Sequence, residues 1–311
     1  MWRIVFMGTP AFACPILEAL LARPDPVVGV VCQPDRPRGR GLTVVAPEVK
    51  QLALARGVPV LQPERIRDPA FHDSLRALAP DLIVVAAYGR ILPRTLLDLP
   101  PHGCINVHAS LLPHHRGASP ITWAILAGDL VTGVTIMAMA EEMDAGDILL
   151  VRETPIAPEE TGGLLAARLA RLGAGAIGEA VDGLKAGSLR PVPQPAVGIT
   201  FAPRIDRAQC RLDWTRTADE LARQVRALAP APAAFTTLAG RLLKVHRAMV
   251  DPDAARGAPG MVTHAGADGL VVAAGSGALR MLEVQAEGRR RMPVADFLAG
   301  HRALAGTCLG P

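Results

Sequence analysis

From the N-terminus to about residue 190, short runs of β-branched and aliphatic residues alternate with longer segments whose apolar positions recur at helical spacing. The short runs predict strands at Arg3–Phe6, Val27–Cys32, Val58–Leu61, Leu82–Ala86, Cys104–His108, Val134–Met139 and Ile148–Val151. The longer segments predict helices over Pro10–Ala22, Pro47–Arg56, Pro69–Leu78 and Pro120–Ala127, and an Ala- and Leu-rich helix from Thr161 to Lys185 closes the series. Several strands are apolar at every position, as expected when helices cover both faces of a parallel sheet. The expected architecture is therefore α/β, a doubly wound and mostly parallel sheet.

The pattern then breaks. Arg190-Pro-Val-Pro-Gln-Pro195 sustains neither a helix nor a central strand, because proline lacks the backbone donor and restricts its neighbour. It predicts a linker. Beyond it a helix over Ala218–Leu228 ends at Pro230-Ala-Pro232, and short strands follow near Leu242–Ala248, Gly260–His264, Leu270–Ala273 and Ala278–Val284. Turn-punctuated short strands predict a small β-barrel. The expected division is a first domain over 1–189, a linker over 190–206 and a C-terminal domain over 207–311.

Composition narrows this picture. The 311 residues suffice for two domains with separate cores. Half are hydrophobic, yet the longest apolar runs are strand-sized and fall well short of the ~20 residues of a membrane helix. Met1-Trp-Arg-Ile-Val-Phe6 reads as a first strand rather than a secretory signal. The cysteines, Cys14, Cys32, Cys104, Cys210 and Cys308, are scattered and include no Cys-x-x-Cys pair, so reduced thiols in a cytoplasmic protein are expected. The net charge of +4 is uneven: residues 201–311 carry 15 Lys+Arg against 10 Asp+Glu, while residues 1–200 carry 18 against 19. A basic C-terminal third beside a near-neutral body points to an anionic partner, and a nucleic-acid backbone is the commonest large one.

Three polar segments carry candidate chemistry. Met7-Gly8-Thr9-Pro10 follows the first strand, but a dinucleotide cradle needs three glycines and only Gly8 is present. A helix N-terminus with Thr9 as cap and Pro10 in the first turn is the expected reading there. Gln33-Pro-Asp-Arg-Pro-Arg-Gly-Arg-Gly41 holds Arg36, Arg38 and Arg40 among prolines and glycines, either a solvated basic loop or a phosphate grip. In Ile105-Asn-Val-His-Ala-Ser-Leu-Leu-Pro113, Asn106 and His108 share one face of a strand, and Asp144 follows in Met143-Asp-Ala-Gly-Asp147. An amide and an imidazole can steady a developing oxyanion, with a carboxylate to orient the imidazole, which is an arrangement for acyl transfer. No Gly-x-Ser-x-Gly or comparable nucleophile context occurs, so the attacking group is expected on the substrate. No metal-ligand spacing occurs either, and no metal is expected.

These segments, together with Ala87-Tyr-Gly-Arg-Ile-Leu-Pro93, Arg116-Gly117, Thr132-Gly-Val-Thr-Ile-Met137 and Arg211-Leu-Asp-Trp214, resemble the methionyl-tRNA formyltransferases of the folate-dependent formyltransferase superfamily. The resemblance is ordered and spans the chain. It implies formyl transfer from 10-formyltetrahydrofolate to the α-amine of methionine on initiator tRNA, in translation initiation. By match to the family's motifs, Asn106, His108 and Asp144 would be catalytic, with Asn106 and His108 on the oxyanion and Asp144 holding His108 and aiding amine deprotonation. Ser110, Leu111, Leu112 and Pro113 match the folate-binding segment, and Ala87, Tyr88 and Ile91 would line the pterin pocket. Arg36, Arg38 and Arg40 match a loop directed at the tRNA acceptor stem. The C-terminal domain would be a barrel of oligonucleotide-binding (OB) type, and a monomer is expected.

The chain departs from the family pattern at Leu42-Thr43, where lysines are frequent, and at Ala229-Pro-Ala-Pro-Ala233, where a tryptophan often stands. Thr200-Phe-Ala-Pro-Arg204 has arginine where lysine is common. These changes touch tRNA docking and leave the Asn106–His108–Asp144 set intact. Aromatics make up only 3% of the chain, which favours recognition of RNA shape and phosphates over stacking on many unpaired bases. The rivals are a formyltransferase for a small amine such as a nucleotide sugar, a non-catalytic RNA-binding protein, and an oxidoreductase, the last disfavoured by the missing glycine fingerprint.

Overall fold

Five consecutive buried residues, Ile4–Gly8 (β1), start the chain, and such a strand belongs in the middle of a sheet covered on both sides. In the computed structural model, which describes residues 1–38, 43–252, 257–301 and 304–310, β1 lies between two parallel neighbours. A 3-10 turn over Ala11–Ala13 leads into α1 (Cys14–Leu21), followed by β2 (Val27–Val31). Next come β3 (Arg36–Arg38), β4 (Thr43–Val45), α2 (Glu48–Ala55), β5 (Val60–Leu61) and α3 (Pro69–Ala77). The Asp68 carboxylate caps α3 by accepting from the Ala70 amide.

The series continues with β6 (Leu82–Ala86), α4 (Arg94–Leu97), β7 (Cys104–His108), α5 (Pro120–Ala127), β8 (Val131–Ala138), β9 (Ile148–Pro155) and the 24-residue α6 (Gly162–Lys185). The sheet order is β5-β2-β1-β6-β7-β8-β9, parallel from β5 to β7, with β8 and β9 each antiparallel to the strand before. Strand order reverses at β1, so the crevice beyond the carboxyl ends of β1, β6 and β7 is where such a sheet offers a ligand site.

Chain contacts divide the molecule into two units: residues 1–120, 131–155 and 166–203 form the first, and 121–130, 156–165 and 204–311 the second. In the second, α7 (Ala218–Leu228) begins with a capping box, Thr217 and Glu220 each bonding the other's backbone N–H. Then come β10 (Ala234–Leu238), β11 (Arg241–Asp251), β12 (Val262–Gly266), β13 (Gly269–Ala273), β14 (Ala278–Ala286), β15 (Met292–Pro293) and α8 (Val294–Ala299). They form an antiparallel sheet, β10-β11-β14-β13-β12, with β15 on β14. The β10–β11 hairpin turns through Ala239 and Gly240, both at positive φ, the geometry of a tight two-residue hairpin turn. The α7 residues Leu221, Val225 and Leu228 pack with Leu243, Val245, Leu279 and Val284 in this unit's core.

Four local expectations change. The arginine segment, expected as a loop, forms a two-stranded ribbon in which Arg36 pairs with Val45 and Arg38 with Thr43. Its Arg-Pro-Arg strand has no apolar alternation to betray it. Thr9 caps no helix; its hydroxyl donates to the Tyr88 carbonyl and accepts from the Gln33 amide, tying β1 to the neighbouring strand ends. The strand β10 went unpredicted because its inward residues include a buried threonine, Thr236, which accepts a hydrogen bond from Trp214 Nε1. Residues 190–195 are not a free linker: Val192 exchanges two backbone hydrogen bonds with Ile148 and extends the sheet at β9.

Candidate active site

Alternation along β7 sends Asn106 and His108 to one face. Asn106 sits between Val85 of β6 and Met137 of β8 and is half-buried, while His108 is buried. The two ring nitrogens of His108 have different partners. Nε2 lies 3.0 Å from the His115 carbonyl oxygen, which can only accept, so Nε2 carries a proton and donates it there. Nδ1 faces Asp144 Oδ1 at 3.6 Å, too long for a hydrogen bond but close enough for a strong electrostatic influence. Burial pushes the imidazole below its ordinary value and outweighs the opposing pull of Asp144. Burial thus favours the neutral ring, and a proton on Nε2 leaves the Nδ1 lone pair towards the carboxylate.

Asp144 comes from the loop after β8 and takes a left-handed backbone, φ +50°. Its Oδ2 accepts from the Gly117 N–H at 2.8 Å. Two glycines make this loop possible. A Cβ at Gly117 (φ +129°) would stand 2.6 Å from the Ala202 carbonyl oxygen, and one at Gly146 only 1.8 Å from that of Ala138.

The segment after the helix α6 completes the surroundings. Thr200 accepts from His115 N through its hydroxyl and from Arg116 N through its carbonyl, and Ala202 N donates to Arg116 O. Arg116 is buried and sends Nε and Nη2 to Gln194 Oε1, at 3.1 and 2.7 Å. Gln194 Nε2 in turn donates to the carbonyls of Asp144 and Gly146, at 2.8 and 2.7 Å. Sequence reasoning missed Gln194, and its single signal was a polar residue enclosed by Pro193 and Pro195.

The remaining expected residues separate. Ser110 is wholly buried, donates to the His114 carbonyl at 2.6 Å, and offers its own carbonyl to Thr135. Its hydroxyl closes a turn and is not presented to a ligand. Leu112 is buried, Pro113 is buried, and Leu111 is half-buried against Gly133. Ala87 stands exposed at a left-handed turn (φ +47°) and Ile91 is 63% exposed, so both are available at the carboxyl end of β6. The Tyr88 ring instead packs among Val5, Met7, Val31 and Ile83, where burial pushes its phenol up to about 12. The positive φ at Ala87 reverses the chain and turns the next side chain inward, so Tyr88 reaches the crevice through its main chain alone. Exposed apolar atoms beside turn peptides suit a flat heterocycle with polar edges, which a pterin is.

Arg36 is exposed and pairs loosely with Glu64 at 3.7 Å. Arg38 is described only in its backbone, within β3, and Arg40 lies outside the described residues. A cavity of about 280 Å³ bordered by Arg94, Leu97, His102 and Leu184 lies where β7 begins, the end of the strand away from His108. Among the described residues no group of three or more His, Cys, Asp or Glu is placed to hold a metal, and no helix is long and apolar enough to cross a membrane.

Comparison with known proteins gives the family. Residues 2–181 match the family model described as formyl transferase, and residues 204–302 match that of the formyl transferase C-terminal domain. Solved structures share the fold: an N-formyltransferase from Helicobacter canadensis, in complex with folinic acid and dTDP-3-aminofucose, has a TM-score of 0.68 at 15% identity, covering 90% of this chain and 99% of that one. HypX from Aquifex aeolicus in complex with tetrahydrofolic acid has a TM-score of 0.64 at 19% identity, over 96% of this chain and 47% of that one. The matched family models and the fold define a formyltransferase of Rossmann-like architecture, with a separate antiparallel C-terminal sheet.

The methionyl-tRNA formyltransferase of Myxococcus xanthus is 54% identical over 98% of this chain and 97% of that protein. Those of Trichlorobacter lovleyi and Geobacter sulfurreducens are 47% and 48% identical, over 100% and 99% of this chain and 98% and 96% of theirs. The chain belongs to the methionyl-tRNA formyltransferase family.

Proposed function

We propose that this chain moves the formyl group of 10-formyltetrahydrofolate to the α-amine of methionine on initiator tRNA, with Asn106, His108 and Asp144 as the reacting residues. The observation that carries the reading is the convergence of an amide, a neutral imidazole and a carboxylate at the crevice, with the imidazole's lone pair turned to the carboxylate. The amine attacks the formyl carbon, the bond from that carbon to the folate nitrogen breaks, and one proton leaves the amine while one reaches the released nitrogen. His108 Nε2 is committed to His115, so donation to the oxyanion falls to the Asn106 amide. His108 takes part through Nδ1: beside Asp144 it can receive the amine proton and hold it as an imidazolium paired with the carboxylate. Leu111, the Ala87 turn and Ile91 would hold the pterin, and the 110–113 turn would support it from beneath.

The proposed division of labour assigns one task to each part of the chain. Residues 1–189 carry the chemistry and residues 207–311, a barrel of OB type with net charge +5, hold the tRNA through phosphates. Exposed Arg289, Arg290 and Arg291 belong to that basic surface, and Arg36, Arg38 and Arg40 contribute from the first domain. The enzyme works as a cytoplasmic monomer. Formyl transfer measured with charged initiator tRNA and, separately, with a small amine such as an amino sugar nucleotide tests the acceptor. Turnover with the tRNA is expected, and turnover confined to the small amine would sink the reading.

A further inference from the structure

We infer that Gln194 is a positioning residue for formyl transfer, locking the Asp144 loop to Arg116 so that the carboxylate stays opposite His108; the inference rests on Asp144 serving the reaction as proposed above. A side-chain amide has two donor hydrogens and two acceptor lone pairs, and here all four are used. Both N–H groups go to carbonyls of the loop, at Asp144 and Gly146, and the oxygen takes two hydrogen bonds from one guanidinium. Carbonyls only accept and arginine only donates, so the amide has one orientation that satisfies both sides. No other side chain of this length supplies two donors and two acceptors in opposite directions.

The target of the lock is a residue that needs one. Asp144 has a left-handed backbone unfavourable to a residue with a Cβ, and its peptide orientation decides where its carboxylate points. One end of the residue is held by Gly117 N–H on Oδ2 and the other by Gln194 on the main-chain carbonyl. The lock is itself anchored. Val192 is bonded into the sheet at β9, and Pro193 and Pro195 restrict the backbone on either side of Gln194. The buried Arg116 guanidinium has, besides Gln194, a long ion pair to Glu142 at 3.9 Å.

The test is a double-mutant cycle on the full chain with charged initiator tRNA, using Gln194→Ala, Asp144→Asn and the combination. Gln194→Ala should lower kcat roughly tenfold to a hundredfold, the scale of displacing a reacting group by about 1 Å, while KM for the tRNA stays within about twofold. In the Asp144→Asn background the same substitution should cost almost nothing, because its effect passes through that carboxylate. Equal losses in both backgrounds, or a rise in KM at constant kcat, would overturn the inference while leaving the reaction centre in place. A near-normal rate for Asp144→Asn alone would instead overturn the proposed function. Should Gln194→Ala fail to fold, Gln194→Glu serves, because it keeps the size and the acceptor for Arg116 while replacing the two donated hydrogen bonds with a carboxylate oxygen that faces the Asp144 and Gly146 carbonyls. It should show the same kcat loss and the same dependence on Asp144.

Discussion

The reacting centre and the arginine ribbon lie in the same domain and are built in opposite ways. Around His108 the supporting polar groups have protein partners, with Nε2 on the His115 carbonyl, Asp144 on Gly117 N–H and Arg116 on Gln194, while His108 Nδ1 is left facing the carboxylate. On the ribbon, Arg36 stands in solvent with one long ion pair. Proton transfer needs groups held within a fraction of an ångström in a dry site, where a satisfied network costs nothing to reorganise at the moment of reaction. Phosphate recognition needs charge within reach of a large partner, and a guanidinium on a ribbon can adapt to it.

Three measurements would break or sharpen that contrast. Asn106→Ala removes the proposed oxyanion donor, and kcat should fall by roughly a hundredfold or more with tRNA affinity nearly unchanged. A near-normal rate would mean that charge is stabilised elsewhere. The second measurement is the pH profile. Burial lowers the His108 pKa, so the neutral ring that accepts the proton persists below 6.5, its ordinary value, and the acid limb of kcat/KM that belongs to His108 should lie under that pH. The same shift affects stability. The unfolded chain binds a proton there that the folded chain refuses, so this contribution is complete above 6.5 and is lost as pH falls towards the folded value. An acid limb centred above 6.5 would refute a neutral resting imidazole. The smallest effect is expected at the ribbon, where Arg36→Ala should weaken tRNA use a few-fold, leave kcat unchanged and lower the slope of log K against log salt by roughly 1. An unchanged salt slope would make Arg36 a solvated residue with no phosphate contact.

Much of this was legible in the chain itself because the signals were local. Strands with five buried residues in a row, such as Leu82–Ala86, leave no polar face to confuse the pattern, and β7 and α7 appear at the predicted residues. The pair Asn106 and His108 was legible by strand parity. Other features depended on distant partners. Tyr88 reads as a pocket residue in its motif, yet the left-handed turn at Ala87 sends it into the core. Ser110 reads as a ligand for folate, but its hydroxyl is spent on the His114 carbonyl. Residues 190–195 carry the composition of a linker, and only the β9 edge and the Asp144 loop make them part of the site.

Periodicity and motif determined the class of fold, the strand that carries Asn106 and His108, and the kind of reaction, because those follow from spacing along a few residues. Tertiary structure decided which nitrogen of His108 is free, how Asp144 is held, and that Gln194 holds it. Asp144 and Gln194 are 50 positions apart and meet through hydrogen bonds that exist only once the sheet has brought β8, β9 and the returning chain together. Spacing cannot encode such a contact, since its energy depends on the burial and orientation of both partners.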